Sequence, residues 1–254
     1  AQTTMTIRPD KYLRFLGVPP LFGTDRTKKI LSVNPTILPQ REEAGEVKIF
    51  VYDYNADVLH EYQFEKISDC FTFKDNDHTT WINIDGLRKA DVEAICQHFG
   101  VHSLIIEDIL SINQRPKMDE INDIIFCLLN MLYFNNVTST VEQEQISIIL
   151  GRNFVISFQE DAKRDVFNPL RERLKIANSK LRQNTAEYLC YTLLDMIVDN
   201  YFIVMEELGS CIEELEEEVI RNSDTRSLAR INKHRKELIV LKRNITPVRD
   251  LING

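Results

Sequence analysis

Leu189, Leu193, Ile197, Val204, Leu208, Cys211 and Leu215 recur at intervals of three, four or seven residues, the spacing that lines one face of an α-helix. No other feature restricts the fold so tightly. The seam predicts a helix from about residue 184 to about 221, and some 37 residues at 1.5 Å each reach roughly 55 Å. That is longer than the core of a small domain needs. Asn222, Ser223, Asp224 and Thr225 then supply a turn and an N-cap. Beyond them Leu228, Ile231, Leu238, Leu241, Ile245, Val248 and Ile252 repeat the seam. Residues 184–254 are expected to form a long antiparallel helical hairpin, acidic along its first arm.

The chain before residue 184 follows other rules. Residues 1–45 carry Pro9, Pro19, Pro20, Pro35, Pro39, Gly17 and Gly23 among mixed charges, which predicts a loose N-terminal arm. From Val47 the pattern alternates, and VKIFVYDYN and VLHEYQFE read as two strands around a turn at Asn55, Ala56 and Asp57. TTWINIDG (79–86) is a further strand. In LRKADVEAICQHFG, Val92, Ile95, Cys96 and Phe99 mark an amphipathic helix closed by Gly100. Ser103 is expected to cap a second short helix ending at Leu110, and Pro116 to end the connection. Residues 121–134 read as one buried strand, and EQISIILGRNFVISFQE as two strands around Gly151, Arg152 and Asn153. A last local helix is placed at about 166–176. Residues 46–183 therefore read as a mixed α/β domain.

Composition narrows the partners. Thirty-one basic against 39 acidic residues give a net charge of −8, the wrong sign for neutralising phosphates, so no nucleic-acid surface is expected and cations are the better partners. Cys70, Cys96, Cys127, Cys190 and Cys211 are scattered and form no C-x-x-C pair, which points to neither a disulfide framework nor a thiolate zinc site. IIFCLLNMLYF (124–134) is the longest apolar run, too short for a spanning helix of roughly 18 residues or more. The chain as given reads as soluble. Its first residue is Ala and it stops within a helical pattern at Gly254, so it reads as a piece of a longer protein. Neither a nucleophile elbow nor a Gly-rich phosphate loop occurs in it, and no enzymatic activity is expected.

Two acidic features stand out. Glu107 and Asp108 adjoin in VHSLIIEDILSINQRPK (101–117), inside an otherwise apolar helical turn. Helical neighbours point about 100° apart, so these carboxylates serve two directions and do not chelate one ion as an i, i+4 pair could. That suits an ion held between packed elements or between subunits; a solvated turn is the plainer alternative. Asp195 and Asp199 lie four apart on the long helix, away from its seam, with Glu206 in the same stripe. Glu207, Glu213, Glu214, Glu216, Glu217 and Glu218 add a field that attracts Mg²⁺ or Ca²⁺ diffusely, or is simply a solvated face. His98 and His102 have the spacing of a helical zinc pair, but Gly100 between them ends the helix. His60, His78 and His234 stand alone in the sequence and read as structural.

The stretch from His102 to Lys117 resembles the cytoplasmic domain of the CorA family of magnesium channels, where His-Pro-Leu-x-x-Glu-Asp-Ile-Leu precedes Gln-Arg-Pro-Lys. The matching residues are His102, Leu104, Glu107, Asp108, Ile109, Leu110, Gln114, Arg115, Pro116 and Lys117, with Ser103 at the Pro position. TTWINIDGLRKADVEAICQHFG, ISIILGRNFVISFQE, DVFNPLRERLK, AEYLCYTLLDMIVDNYF and IEELEEEV are similar to the family's segments in order. The resemblance implies an α/β/α sandwich with a mixed sheet, then an acidic helical hairpin beside a stalk helix. It also implies inter-subunit sites where Glu107, Asp108 and Asp195 bind Mg²⁺, with Co²⁺ or another divalent cation as alternative, and hold a channel closed. The protein is then a homo-oligomer, a pentamer at full length, on the cytoplasmic face of the cell membrane. Its membrane contact comes only through a segment beyond Gly254, with a stalk, two spans and a Tyr-Gly-Met-Asn signature.

Three rivals stand beside this reading. Related Zn²⁺ transporters share the implied fold. A helical scaffold that binds no metal would explain the seam alone. A metal-dependent hydrolase ranks last, because adjacent acids that diverge on a helix are a poor start for a complete site within one chain.

Overall fold

In the computed structural model, residues 44–112, 114–161, 164–221 and 225–253 are described, with side chains beyond Arg221 described over 227–249. Nearly all of the expected N-terminal arm, and residues 222–224 of the expected turn, lie outside them. The alternating segment forms β1 (Lys48–Tyr54), which pairs antiparallel with β2 (Leu59–Phe64). Asn55 Oδ1 closes their turn by accepting from the backbone N–H of Asp57 at 2.9 Å and of Val58 at 2.8 Å, the side-chain mimicry that makes Asn a turn residue. A short 3-10 helix (Ile67–Phe73) leads to β3 (Thr79–Asp85), then α1 (Lys89–Phe99) and α2 (Ser103–Leu110). Gly100, with φ 78°, ends α1 in the left-handed region that suits glycine. Four strands follow: β4 (Lys117–Ile121), β5 (Ile124–Asn135), β6 (Thr140–Leu150) and β7 (Phe154–Gln159). Helices α3 (Asn168–Lys175), α4 (Ala186–Arg221) and α5 (Thr225–Asn253) complete the chain.

The seven strands form one mixed sheet in the order β2-β1-β3-β7-β6-β5-β4, with β3 and β7 parallel and the other neighbours antiparallel. Because side chains alternate along each strand, the sheet carries two apolar faces. Ile49, Val51, Ile82, Ile84, Ile156 and Phe158 pack with Val92, Ile95, Ile105 and Ile109 of α1 and α2. Tyr52, Tyr54, Trp81, Met131 and Val155 pack with Leu170 of α3, Leu189, Leu193 and Ile197 of α4, and Leu241 of α5. The result is an α/β/α sandwich, as the resemblance implied. Burying a side chain such as Leu193 fully contributes about 1.5–3 kcal/mol, which is why α4 docks along the sheet.

Both arms of the hairpin are tied to the sheet. Arg230 pairs with Glu218 near the turn, while Tyr201 and Asn244 both bond Asn130 farther along. The two helices therefore run antiparallel. By length and hydropathy α4 could cross a membrane, which no search for an unbroken apolar run reveals; its seam nevertheless lies in the sheet's core. On α3, Arg171 pairs with Asp165 and lies 5.4 Å from the Trp81 ring centroid, filling the second face with a paired cation.

Three sequence expectations change. Residues 121–134 are not one strand: Asn122 and Asp123 take φ of 52° and 61°, and the chain folds back from β4 to β5. Asn and Asp tolerate that conformation, and the charges of Lys117, Asp119 and Glu120 suit β4 to a sheet edge. The cap of α2 is His102, not Ser103; His102 has extended backbone and its Nδ1 accepts from Leu104 N–H at 3.3 Å. On α5, Leu228, Ile231 and Leu238 are exposed, and Ser227, His234, Leu241, Asn244 and Val248 face inward. That inward face holds polar residues with partners, such as Asn244, so apolar spacing misplaces it. Ile252 of the expected seam is outside the described side chains.

Candidate functional site

The acidic turn is built by the apolar face of α2. Ile105, Ile106 and Ile109 are buried under the first helical layer, which turns the intervening acids outward. Ser111 ends the helix, its N–H and Oγ both donating to Glu107 O, at 2.9 and 2.7 Å. From β6, Gln145 Nε2 donates to the carbonyls of Asp108 and Ile109 at 3.4 and 3.3 Å, fastening the last turn to the sheet.

The two carboxylates then part, as adjacent helical positions require. Glu107 is exposed, whereas the side chain of Asp108 is 19 % exposed. Lys117, the first residue of β4, donates from Nζ to Asp108 Oδ2 at 2.6 Å and lies 3.3 Å from Asp119. Burial is the largest single influence on the Lys117 pKa and lowers it, but the hydrogen bonds to Asp108 and Asp119 and their charges together outweigh it, and the net shift is upward. Asp195 is exposed on α4, beside the half-buried Leu194 and Met196. Glu107, Asp108 and Asp195 offer only oxygen, the donor type that Mg²⁺ prefers. Among the described residues they do not gather into one three-ligand group within a chain.

The histidines divide differently from the sequence expectation. His98 stacks on Phe71 at 4.2 Å, and its Nε2 lies 2.9 Å from Phe71 O. With His102 capping α2, that pair is structural. His234 is buried on α5, and burial holds its pKa below the usual value. His60 and His78 do not stand alone: together with Asp53 they form a three-residue group able to hold a metal. The signal was present in the hairpin, since counting back from the turn at Asn55 pairs Asp53 with His60.

Residues 76–254 match the sequence model of the CorA-like Mg²⁺ transporter protein family. The chain belongs to that family. It is 34 % identical over 210 residues to a Thermotoga maritima protein named cobalt/magnesium transport protein CorA, covering 82 % of this chain and 60 % of that relative. Thus the CorA-family chain spans about three fifths of this relative's length. Its fold is similar to the soluble domain of CorA from Methanocaldococcus jannaschii, with TM-score 0.60 and 17 % identity over 83 % of this chain and 79 % of the other. A similar likeness, TM-score 0.57 with 15 % identity, relates it to the ZntB cytoplasmic domain from Vibrio parahaemolyticus, over 82 % and 80 % of the two chains.

Proposed function

We propose that this CorA-family chain is the divalent-cation-sensing part of a Mg²⁺ transport protein, with Co²⁺ as a second transported ion. Mg²⁺ binds between copies of the chain at Glu107, Asp108 and Asp195 and favours the closed state. The observation that carries this reading is the divergence on α2, where Glu107 projects into solvent while Asp108 is held at the surface by Lys117. Three oxygen donors that one chain does not gather leave room for a second copy to complete a site. Hydrated Mg²⁺ suits such a site, because it keeps several waters and bridges carboxylates through them. With the ion bound, facing carboxylates are neutralised and the symmetric assembly is held; without it, their repulsion loosens the contact.

Exposed Phe202 and Ile203 on α4, with Leu228, Ile231 and Leu238 on α5, support contact with a further copy. The protein works at the cytoplasmic face of the cell membrane as a homo-oligomer, the pentamer that the family resemblance implies. Sedimentation velocity of the chain in Mg²⁺ and in chelator tests the reading. Larger species in Mg²⁺, lost on Asp108→Asn, are expected. Assembly indifferent to chelator would favour a scaffold that binds no metal.

A further inference from the structure

Asp53 sits where three strands meet at one level of the sheet. His60 of β2 lies directly opposite it on one side and Thr80 of β3 on the other, and His78 immediately precedes β3. Cross-strand partners have Cβ atoms about 4.5–5.5 Å apart, so the register itself delivers the two imidazoles and one carboxylate to one spot. His78 Nδ1 is 2.8 Å from Asp53 Oδ2, and His60 Nδ1 is 3.9 Å from the same oxygen. The two imidazole rings lie near parallel, 15° apart with centroids 6.4 Å apart. One ligand atom from each of the three residues lies within 4.8 Å of the other two.

The carboxylate is held for this arrangement. Asp53 is nearly buried, with 8 % of its side chain exposed, and no Lys or Arg pairs with it among the described residues. Its Oδ1 is taken by two donors, Asn76 Nδ2 at 2.7 Å and Thr80 Oγ1 at 2.8 Å. Asn76 is anchored in turn by Asn153 Nδ2, which donates to Asn76 O at 2.5 Å. Oδ2 is left aimed at the histidines. Partners that orient a ligating carboxylate in this way are the usual outer shell of a metal site.

We propose that Asp53, His60 and His78 form a binding site for a borderline-soft divalent transition-metal cation, Zn²⁺ by preference, which ties the β1–β2 hairpin to the start of β3. Zn²⁺ bonds of about 2.0–2.2 Å to nitrogen and oxygen place tetrahedral ligand atoms about 3.3–3.5 Å apart. The present separations of 2.8 and 3.9 Å straddle that value. The hydrogen-bonded His78 contact opens slightly as its proton leaves, and the exposed His60 ring closes in. Solvent reaches His60, so water can supply the fourth ligand. Two imidazoles and one carboxylate suit Zn²⁺ or its first-row neighbours far better than Mg²⁺, which prefers oxygen alone. The site shares no residue with Glu107, Asp108 and Asp195, and Asp53 and His60 precede the segment matched by the family.

Calorimetric titration of the whole chain with Zn²⁺ tests the proposal, with Co²⁺ absorption as a second readout of imidazole ligation. One saturable site per chain is expected. His60→Asn, at an exposed position, should keep the fold and weaken that site at least about tenfold; His78→Asn should do the same. A variant combining Glu107→Gln, Asp108→Asn and Asp195→Asn should bind Zn²⁺ as the parent does, which separates this site from the Mg²⁺ reading. No saturable Zn²⁺ binding by the parent, or binding that His60→Asn leaves unchanged, would overturn the assignment.

Discussion

Lys117 Nζ donates to Asp108 Oδ2 at 2.6 Å, so within one chain an ammonium already stands against the acid proposed to face Mg²⁺. Lys117 and Asp108 are 33 % and 19 % exposed along their side chains, and a pair so placed is worth little in stability. Its consequence lies in competition. Lys117→Met should lower the Mg²⁺ concentration needed for half-maximal stabilisation severalfold, since the ion no longer displaces a cation. Thermal melts across a Mg²⁺ titration read this directly, and identical midpoints for variant and parent would remove Lys117 from the site.

Asp85 should make the fold less stable at neutral pH than in mild acid. Burial first, and the charge of Asp165 next, push its carboxyl up from 3.8 to about 6, against lowering contributions from the Asn83 hydrogen bond and Arg171. Between those two values the folded state holds more protons than the unfolded chain. Stability therefore falls as pH rises through that window, and the penalty is complete above it. Asp85→Asn should gain about 1–3 kcal/mol near pH 7, a gain that shrinks toward zero below about pH 4. Urea midpoints at the two ends would show it; a gain independent of pH would contradict the sign.

The polar latch between sheet and hairpin should be costly to break. Asn130 Nδ2 donates to Asn244 Oδ1 at 2.8 Å, with the two residues 8 % and 4 % exposed, and Tyr201 Oη donates to Asn130 O at 2.6 Å. Asn244→Ala leaves the Asn130 amide buried without that acceptor, at a cost of about 1–3 kcal/mol. Chemical denaturation gives the number, and a loss below a few tenths would mean that water enters the gap.

Two glycines should respond in opposite directions. Gly86 has φ +92°, and a Cβ there would meet Glu46 O at 2.5 Å, so Gly86→Ala should cost at least about 1 kcal/mol. At Gly209, inside α4, an added Cβ meets nothing within 4 Å, and Gly209→Ala should stabilise by about 0.5–1 kcal/mol. Melting both variants beside the parent tests the pair.

Much of this architecture was legible because period follows burial. The α4 seam is the clearest case: Leu189, Leu193, Ile197, Val204, Leu208 and Leu215 are all buried. The β1–β2 turn at Asn55 could also be placed by residue type. What escaped depended on partners distant in sequence. The inward face of α5 includes Asn244, whose partner Asn130 is 114 residues away, so an apolar pattern cannot find it. The turn at Asn122 and Asp123 was missed because β4 before it is mostly charged and does not read as a strand, so Ile121 looked like the start of the apolar one. Glu107 and Asp108 could be singled out as candidates from their sequence, while Asp53, His60 and His78 needed the register of three strands to meet.

Mg²⁺ held through Glu107, Asp108 and Asp195 should stabilise the assembled chain. The most direct measurement is the melting temperature of the chain across a Mg²⁺ titration, beside the Glu107→Gln, Asp108→Asn and Asp195→Asn combination. A ligand at a hundred times its Kd adds about 2.7 kcal/mol, so the parent should rise by roughly 5–10 °C while the triple variant stays flat. Superimposable curves for the two proteins at every Mg²⁺ concentration would contradict the account.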